Sequence, residues 1–252
     1  MNRPIQDDTR RKPVVAANGI GRLLREMTPI LRGVAEALAP VQMLGKSSKL
    51  PGDQFAKQQM LLKERMGVLV HRGWFVDPEM PLSVVRLMTK AFECDEAGDA
   101  EKWFVDYYIS RGCSIIQKVC EKFPERSEII ADAFAAHNEG RFSLSVPVFL
   151  AQADGIADDC YRGRQIYSRR KSKGVCGLAS SAQEGSAEWT FLSVYAENSP
   201  LVKDTKDLCP GFNGLNRHGV LHGTDKRYGT QINSLRALSV LAYAAFALKS
   251  EK

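Results

Sequence analysis

Residues 141–160, RFSLSVPVFLAQADGIADDC, decide the fold class of this chain. Alternating apolar residues at Leu144, Val146 and Val148 would suit a β-strand. Over the whole stretch, however, apolar residues recur at intervals of three and four, which is the spacing of one helix face. They are Phe142, Val146, Phe149, Leu150, Ala153, Ile156 and Ala157. The stretch therefore predicts a helix, with Asp154 beside the apolar face and partly buried.

The same spacing recurs along the chain and predicts an all-α, multi-helix bundle. Further helices are expected at residues 20–38, 53–71, 82–94, 98–111, 113–123, 127–138 and 231–249. Asp53 is the expected N-cap of the second of these, and Gly73 the residue just past its end. GWFVDPEMP (73–81) is expected to connect helices and to place its Trp and Phe in the core. We divide the chain provisionally into an N-terminal helical region, residues 1–125, and a helical bundle, residues 126–252, which can share one core.

Composition points to a globular protein with an affinity for polyanions. The chain has 252 residues, 44% hydrophobic and 25% charged, with a net charge of +6. This mild excess of positive charge suits RNA or DNA as a partner. No apolar run approaches the roughly 20 residues that span a bilayer, and MNRPIQDDTRRKP does not resemble a secretory signal. The six cysteines form no C-x-x-C pair. We therefore expect a cytoplasmic protein with reduced cysteines and no membrane partner.

The segment YRGRQIYSRRKSKG (161–174) concentrates positive charge. Its basic residues are Arg162, Arg164, Arg169, Arg170, Lys171 and Lys173, with no acidic residue among them and with Tyr161 and Tyr167 between them. Basic side chains neutralise phosphates and aromatic rings stack on bases, so the segment is a candidate RNA-binding site. The alternative is a solvated loop that keeps the protein soluble. The small and polar residues 174–187 are expected to form a flexible loop.

LNRHGVLHGTDKRYG (215–229) contains two of the chain's four histidines, His218 and His222, next to Arg217. On a helix, residues four apart lie on one face, as in a metal site. Residue 219 is glycine instead of the glutamate of an H-E-x-x-H hydrolase, and Arg217 would repel a cation. A third ligand would have to come from elsewhere, such as Asp154 or Asp225. The pattern therefore favours chemistry without a metal or another cofactor.

The alternative chemistry is RNA cleavage, in which the 2′-hydroxyl attacks its own phosphate. Histidine transfers protons near neutral pH, and arginine presents a fork of donors to phosphate oxygens. On a regular helix, Arg217 and His222 diverge by about 140°. A shared phosphate would then require an irregular helix or a second chain across a two-fold axis. A simpler explanation for His222 is a position at a helix end, with Gly223 as the C′ residue.

Arg217-His218-x-x-x-His222 resembles the R-x4-6-H motif of the HEPN superfamily, in which a polar residue commonly follows the arginine. Residues 146–156 are similar to the preceding HEPN helix, whose acidic residue matches Asp154. Residues 222–243 resemble the motif exit and final helix of uncharacterised bacterial HEPN-like proteins. The resemblance covers about residues 125–250. It implies that residues 126–252 form a HEPN-like bundle and that the N-terminal region is a helical extension.

The resemblance also implies a function. Many members are metal-independent endoribonucleases that act as homodimers in toxin–antitoxin pairs or phage defence, so RNA and an inhibitory or antitoxin protein are the implied partners. Here His222 would transfer protons, Arg217 would hold the scissile phosphate, and His218 would assist. Asp154 would pair with Arg217 or His222, although many relatives have the longer glutamate there. Other members bind or scaffold without cleaving, which leaves a catalytically silent binding module as the alternative.

Overall fold

The computed structural model describes residues 52–94 and 96–248. Within these ranges every regular element is helical and no strand is present, which confirms the all-α, multi-helix class. The helix expected at residues 20–38 lies outside the described residues. None of the described helices is both long and apolar enough to cross a membrane.

The helices follow one another along the chain with short connections. They are α1 Gly52–His71, α2 Leu82–Glu93, α3 Ala97–Lys122, α4 Ser127–Asn138, α5 Phe142–Cys160, α6 Cys176–Ala179, α7 Ala187–Ser193, α8 Arg217–Leu221 and α9 Gln231–Ala247. Single 3-10 turns lie at Pro124–Arg126, Val194–Ala196 and Thr205–Asp207. The stretch that decided the fold class is thus helix α5, as its apolar spacing predicts.

Three expectations about local structure need correction. Helix α1 begins at Gly52, so Asp53 lies in its first turn and is not the N-cap. The helices expected at 98–111 and 113–123 are one helix, α3, because Gly112 is a close-packing position: a Cβ there would come 3.1 Å from the ring of Phe134 on α4. The loop expected at 174–187 contains the short helix α6. The prediction for Gly73 is confirmed, since it follows α1 with a φ of +89°.

Both provisional regions of the chain contribute to one hydrophobic core. Helix α5 packs against α4 and α9, and α9 also packs against α3, which lies before residue 125. Trp74 and Phe75 of the connector are buried, as predicted. Trp74 stacks on Phe104 and Tyr108 of α3, at centroid distances of 5.1 and 5.6 Å. The division at residue 125 is therefore not a boundary between cores.

Pro147 inside α5 links this helix to the segment that follows α8. A proline has no N–H to donate, so it cannot bond the carbonyl four residues earlier, which belongs to Ser143. That carbonyl instead accepts a hydrogen bond from the hydroxyl of Tyr228, at 3.0 Å. The proline is thereby tolerated, and the chain between α8 and α9 is fixed against α5.

Candidate functional site

Helix α8 carries the Arg-His motif and is only five residues long. The side-chain oxygen of Asn216 caps its start by accepting a hydrogen bond from the Gly219 N–H at 2.6 Å. Gly223, with a φ of +68°, follows its end and leaves His222 at the C-cap position. The prediction of a histidine at a helix end is confirmed. His218 and His222 also share a face, with ring centroids 4.4 Å apart.

Asn216 also fixes α8 to residues 200–205, which we call the 200–205 loop. Its buried side-chain amide donates hydrogen bonds to the carbonyls of Pro200 and Lys203, at 2.7 and 2.9 Å. The Arg217 N–H donates to the Leu201 carbonyl at 3.0 Å. Three hydrogen bonds therefore set the position of the motif relative to this loop.

Arg217 is held mainly by packing. Its guanidinium carbon lies 5.2 Å from the ring centroid of Tyr167, a cation–π arrangement. The Tyr167 ring is buried, and its hydroxyl donates to the Leu150 carbonyl of α5 at 3.1 Å. The Nε of Arg217 is buried and has no hydrogen-bond partner within residues 52–94 and 96–248. The residue as a whole is half-buried, and it lines the cleft described below.

Asp154 supports Arg217 indirectly. Its Oδ1 accepts a hydrogen bond from the Ile166 N–H at 2.8 Å, and the Tyr167 N–H also acts on this carboxylate. Burial raises the pKa of Asp154, and the two N–H groups and the charge of Arg217 oppose that rise. The expected ion pair with Arg217 or His222 is not among the contacts of the described residues. Asp154 instead holds the backbone at Ile166, directly before Tyr167, whose ring supports Arg217.

The imidazole of His218 faces the 200–205 loop. Its Nδ1 lies 3.1 Å from the hydroxyl oxygen of Thr205, and its Nε2 lies 3.9 Å from Oδ1 of Asp204. The side chain of His218 is 39% exposed, and His222 is exposed beside it. His218 therefore has two partners near its ring while it remains accessible to a ligand.

A cleft of about 510 Å³ opens between segment 161–174, the 200–205 loop and the start of α8. Among its lining residues are Tyr167, Arg169, Arg170, Asp204, Arg217 and His218. Three arginines against one carboxylate make the lining positive, which suits an anionic ligand. His222 and Asp154 are not among the lining residues. The cleft thus joins part of the motif to part of the basic segment.

The six basic residues of segment 161–174 do not have one common role. Arg169 and Arg170 line the cleft, and Arg169 donates to the side-chain oxygen of Asn198 at 2.7 Å. Arg164 is half-buried and donates to the carbonyls of Lys171 and Gly174, at 2.6 and 3.2 Å. One nitrogen of Arg164, Nη1, thus bonds its own loop.

The remaining members of this segment differ in exposure. Arg162, Lys171 and Lys173 are exposed at the surface. Tyr167 is buried, so it cannot stack on a base as the sequence suggested. Backbone hydrogen bonds from Gln165 to Lys173 and from Val175 to Gln165 close the loop, at 2.8 and 3.0 Å. The segment is thus an ordered loop that presents some of its charges and uses others internally.

Sequence reasoning missed four residues of the site: Tyr167 as a support for Arg217, Asn216, Asp204 and Thr205. Asn216 had a detectable signal, because asparagine before a helix is a frequent N-cap. The two residues of the 200–205 loop had none, since only folding brings them to His218. The described residues also contain no group of three or more His, Cys, Asp or Glu side chains placed to hold a metal ion.

Comparisons with protein-family models, with curated proteins and with solved structures find no match. The chemistry of the site must therefore be inferred from its own geometry. Its main features are a half-buried guanidinium packed on Tyr167, two adjacent imidazoles and a positive cleft.

Proposed function

We propose that this protein is a metal-independent endoribonuclease of the HEPN type that acts as a homodimer. The observation that carries the proposal is a positive cleft that Arg217, His218 and Arg170 line together. A phosphate group in the cleft would match the planar fork of the Arg217 guanidinium. The cleft is therefore suited to the phosphodiester backbone of RNA.

The reaction follows from the chemistry of these side chains. His222 removes the proton of the 2′-hydroxyl, and the 2′-oxygen attacks the adjacent phosphorus. The bond from phosphorus to the 5′-oxygen then breaks. The His222 imidazolium formed in the first step returns its proton to that leaving oxygen. Arg217 stabilises the negative charge on the phosphate oxygens in the transition state. The products are a 2′,3′-cyclic phosphate and a free 5′-hydroxyl.

Homodimerisation would solve a geometric difficulty of the motif. Arg217 is the first residue of α8 and lines the cleft, whereas His222 follows its last residue and does not. A second copy that brings its own His222 to the cleft would complete the constellation. Within the HEPN proposal, the biological role is that of a toxin or phage-defence effector under the control of an inhibitory protein.

RNA cleavage in EDTA tests the proposal. We expect the wild type to cleave RNA in the presence of the chelator and His222→Ala to lose at least 100-fold in rate. His71→Ala is the matched control, because His71 lies on α1 and bonds the Gly67 carbonyl of its own helix. Equal cleavage by the wild type and His222→Ala, or no cleavage of any RNA by the wild type, would contradict the proposal.

A second candidate is a catalytically silent module that binds nucleic acid or a protein. The packing of Arg217 over Tyr167 favours it, because an arginine in such a contact can serve stability alone. This candidate predicts that Arg217→Ala lowers the melting temperature and that no variant of the motif changes any reaction. A variant that melts like the wild type but loses cleavage would exclude it.

A further inference from the structure

Two side chains of the 200–205 loop contact different nitrogens of one imidazole. The Thr205 hydroxyl oxygen is 3.1 Å from Nδ1 of His218, within hydrogen-bond distance. The Asp204 carboxylate is 3.9 Å from Nε2, beyond a hydrogen bond but close enough to act through its charge. Asp204 and His218 both line the cleft, and Thr205 does not. Nε2 is thus the ring nitrogen near a residue that lines the cleft.

These contacts join two segments whose relative position is fixed elsewhere. The buried Asn216 bonds the Pro200 and Lys203 carbonyls, and the Arg217 N–H bonds the Leu201 carbonyl. The 3-10 turn Thr205–Asp207 begins directly after Asp204. These bonds therefore fix the backbone that carries Asp204 and Thr205 next to α8.

The tautomer of a neutral histidine is set by what its nitrogens face. A hydroxyl can donate to an unprotonated nitrogen, whereas an ionised carboxylate can only accept. If Thr205 donates to Nδ1, the single ring proton lies on Nε2, where the negative charge of Asp204 attracts it. The opposite tautomer would place the lone pair of Nε2 toward the carboxylate. Electrostatics thus favour one arrangement.

We propose that Thr205 and Asp204 are positioning residues for His218 and that they fix its proton on Nε2, from which His218 donates a hydrogen bond to an oxygen of the scissile phosphate. This inference rests on the proposed ribonuclease function. Arg217 binds the same phosphate from its side of the cleft. Asp204 lies in the cleft near the phosphate, so its charge opposes substrate binding while it assists the orientation of His218.

Steady-state cleavage of an oligoribonucleotide in EDTA separates orientation from binding. Thr205→Val is expected to lower kcat about three- to tenfold with KM within twofold of the wild type, the effect of one neutral hydrogen bond. Thr205→Ser, which keeps the hydroxyl, should restore kcat. Asp204→Asn should lower kcat by a similar factor. It should leave KM unchanged or lower it, because the substitution removes a negative charge that opposes substrate binding in the cleft. Asp207→Asn removes the same charge from an exposed position of the same turn and should match the wild type.

The NMR signals of the His218 ring nitrogens in the full-length protein give a readout independent of cleavage. We expect the neutral ring to carry its proton on Nε2 in the wild type and in Thr205→Ser, and to show a mixture of tautomers in Thr205→Val. A proton on Nδ1, unchanged signals in Thr205→Val, or equal kcat values for Thr205→Val and the wild type would overturn this inference. A wild type that cleaves no RNA would instead refute the proposed function and, with it, the role of His218 in the cleft.

Discussion

The guanidinium carbon of Arg217 lies 5.2 Å from the ring centroid of Tyr167, and the hydroxyl of that tyrosine donates a hydrogen bond to the Leu150 carbonyl of α5. Tyr167 therefore transmits the position of helix α5, which carries Asp154, to the first residue of α8. Asp154 itself accepts a hydrogen bond from the N–H of Ile166, the residue before Tyr167. The guanidinium is thereby held where it lines the cleft.

Replacement of Arg217 separates phosphate binding from packing. Arg217→Lys keeps the charge but loses the planar fork, and we expect a decrease in the cleavage rate of about 100- to 1000-fold, as for the loss of one transition-state donor. The melting temperature should change by only a few degrees. Tyr167→Phe is the control, since it keeps the ring beneath Arg217 and removes only the bond to the Leu150 carbonyl. A cleavage rate of Arg217→Lys within threefold of the wild type would contradict this prediction.

Asn216 should contribute more to stability than its position beside a motif suggests. Asn216→Ala removes the cap of α8 and two hydrogen bonds to the 200–205 loop, so we expect the free energy of unfolding to fall by about 1–3 kcal/mol. Asn216→Asp keeps the capping oxygen but turns a second acceptor oxygen toward the Pro200 and Lys203 carbonyls, and should lose at least as much stability as Asn216→Ala. Urea denaturation of the three proteins measures the difference. An unchanged Asn216→Ala protein would show that the two segments are held together by other contacts.

The basic segment should separate into binding and structural residues. Arg170→Ala should weaken RNA binding and reduce the dependence of log K on log salt concentration by about one unit, because one phosphate contact is lost. Arg164→Ala should instead lower stability, since its donors bond the carbonyls of Lys171 and Gly174. Exposed Arg162, which does not line the cleft, is the control for general loss of charge. Binding titrations at several salt concentrations measure the effect on RNA binding, and melting curves measure the effect on stability. Equal slopes of log K against log salt concentration for the Arg170→Ala and Arg162→Ala proteins would contradict the assignment of Arg170 to RNA binding.

Buried His137 should make the fold sensitive to mild acid. Its Nδ1 lies 2.8 Å from the Ser234 hydroxyl oxygen, and burial lowers the pKa of His137. The unfolded chain therefore binds this proton more readily, so stability is complete above about pH 6.5 and falls below it, by at most about 1.4 kcal/mol per pH unit. Urea denaturation between pH 8 and pH 5.5 should show a steeper loss for the wild type than for His137→Gln. Equal losses of stability between pH 8 and pH 5.5 in the two proteins would contradict the attribution of this loss to His137.

The sequence predicts elements well where a single period extends over many residues. The apolar spacing of residues 142–157 outweighs the short alternation at its start, and α5 results. The same reasoning failed at Gly112, because a glycine disfavours a helix locally while its missing side chain allows α3 to approach Phe134. Packing between α3 and α4 therefore explains the glycine in the middle of α3. The spacing of apolar residues along the sequence does not show such packing.

The site shows the same division between local and non-local information. The pairing of His218 with His222 follows from helical periodicity, and their rings do lie 4.4 Å apart. The contact of Thr205 with His218 depends on how Asn216 fixes the 200–205 loop, which no local pattern encodes. Charge alone also does not show that Arg164 bonds the backbone carbonyls of its own loop.

The most direct test of the central claim is cleavage, in EDTA, of an oligoribonucleotide and of the same oligonucleotide with a single 2′-deoxy sugar at the cleavage site. Our account predicts that only the ribose form is cut and that its products end in a 2′,3′-cyclic phosphate and a 5′-hydroxyl. Cleavage of both forms, or products with a 5′-phosphate, would contradict it.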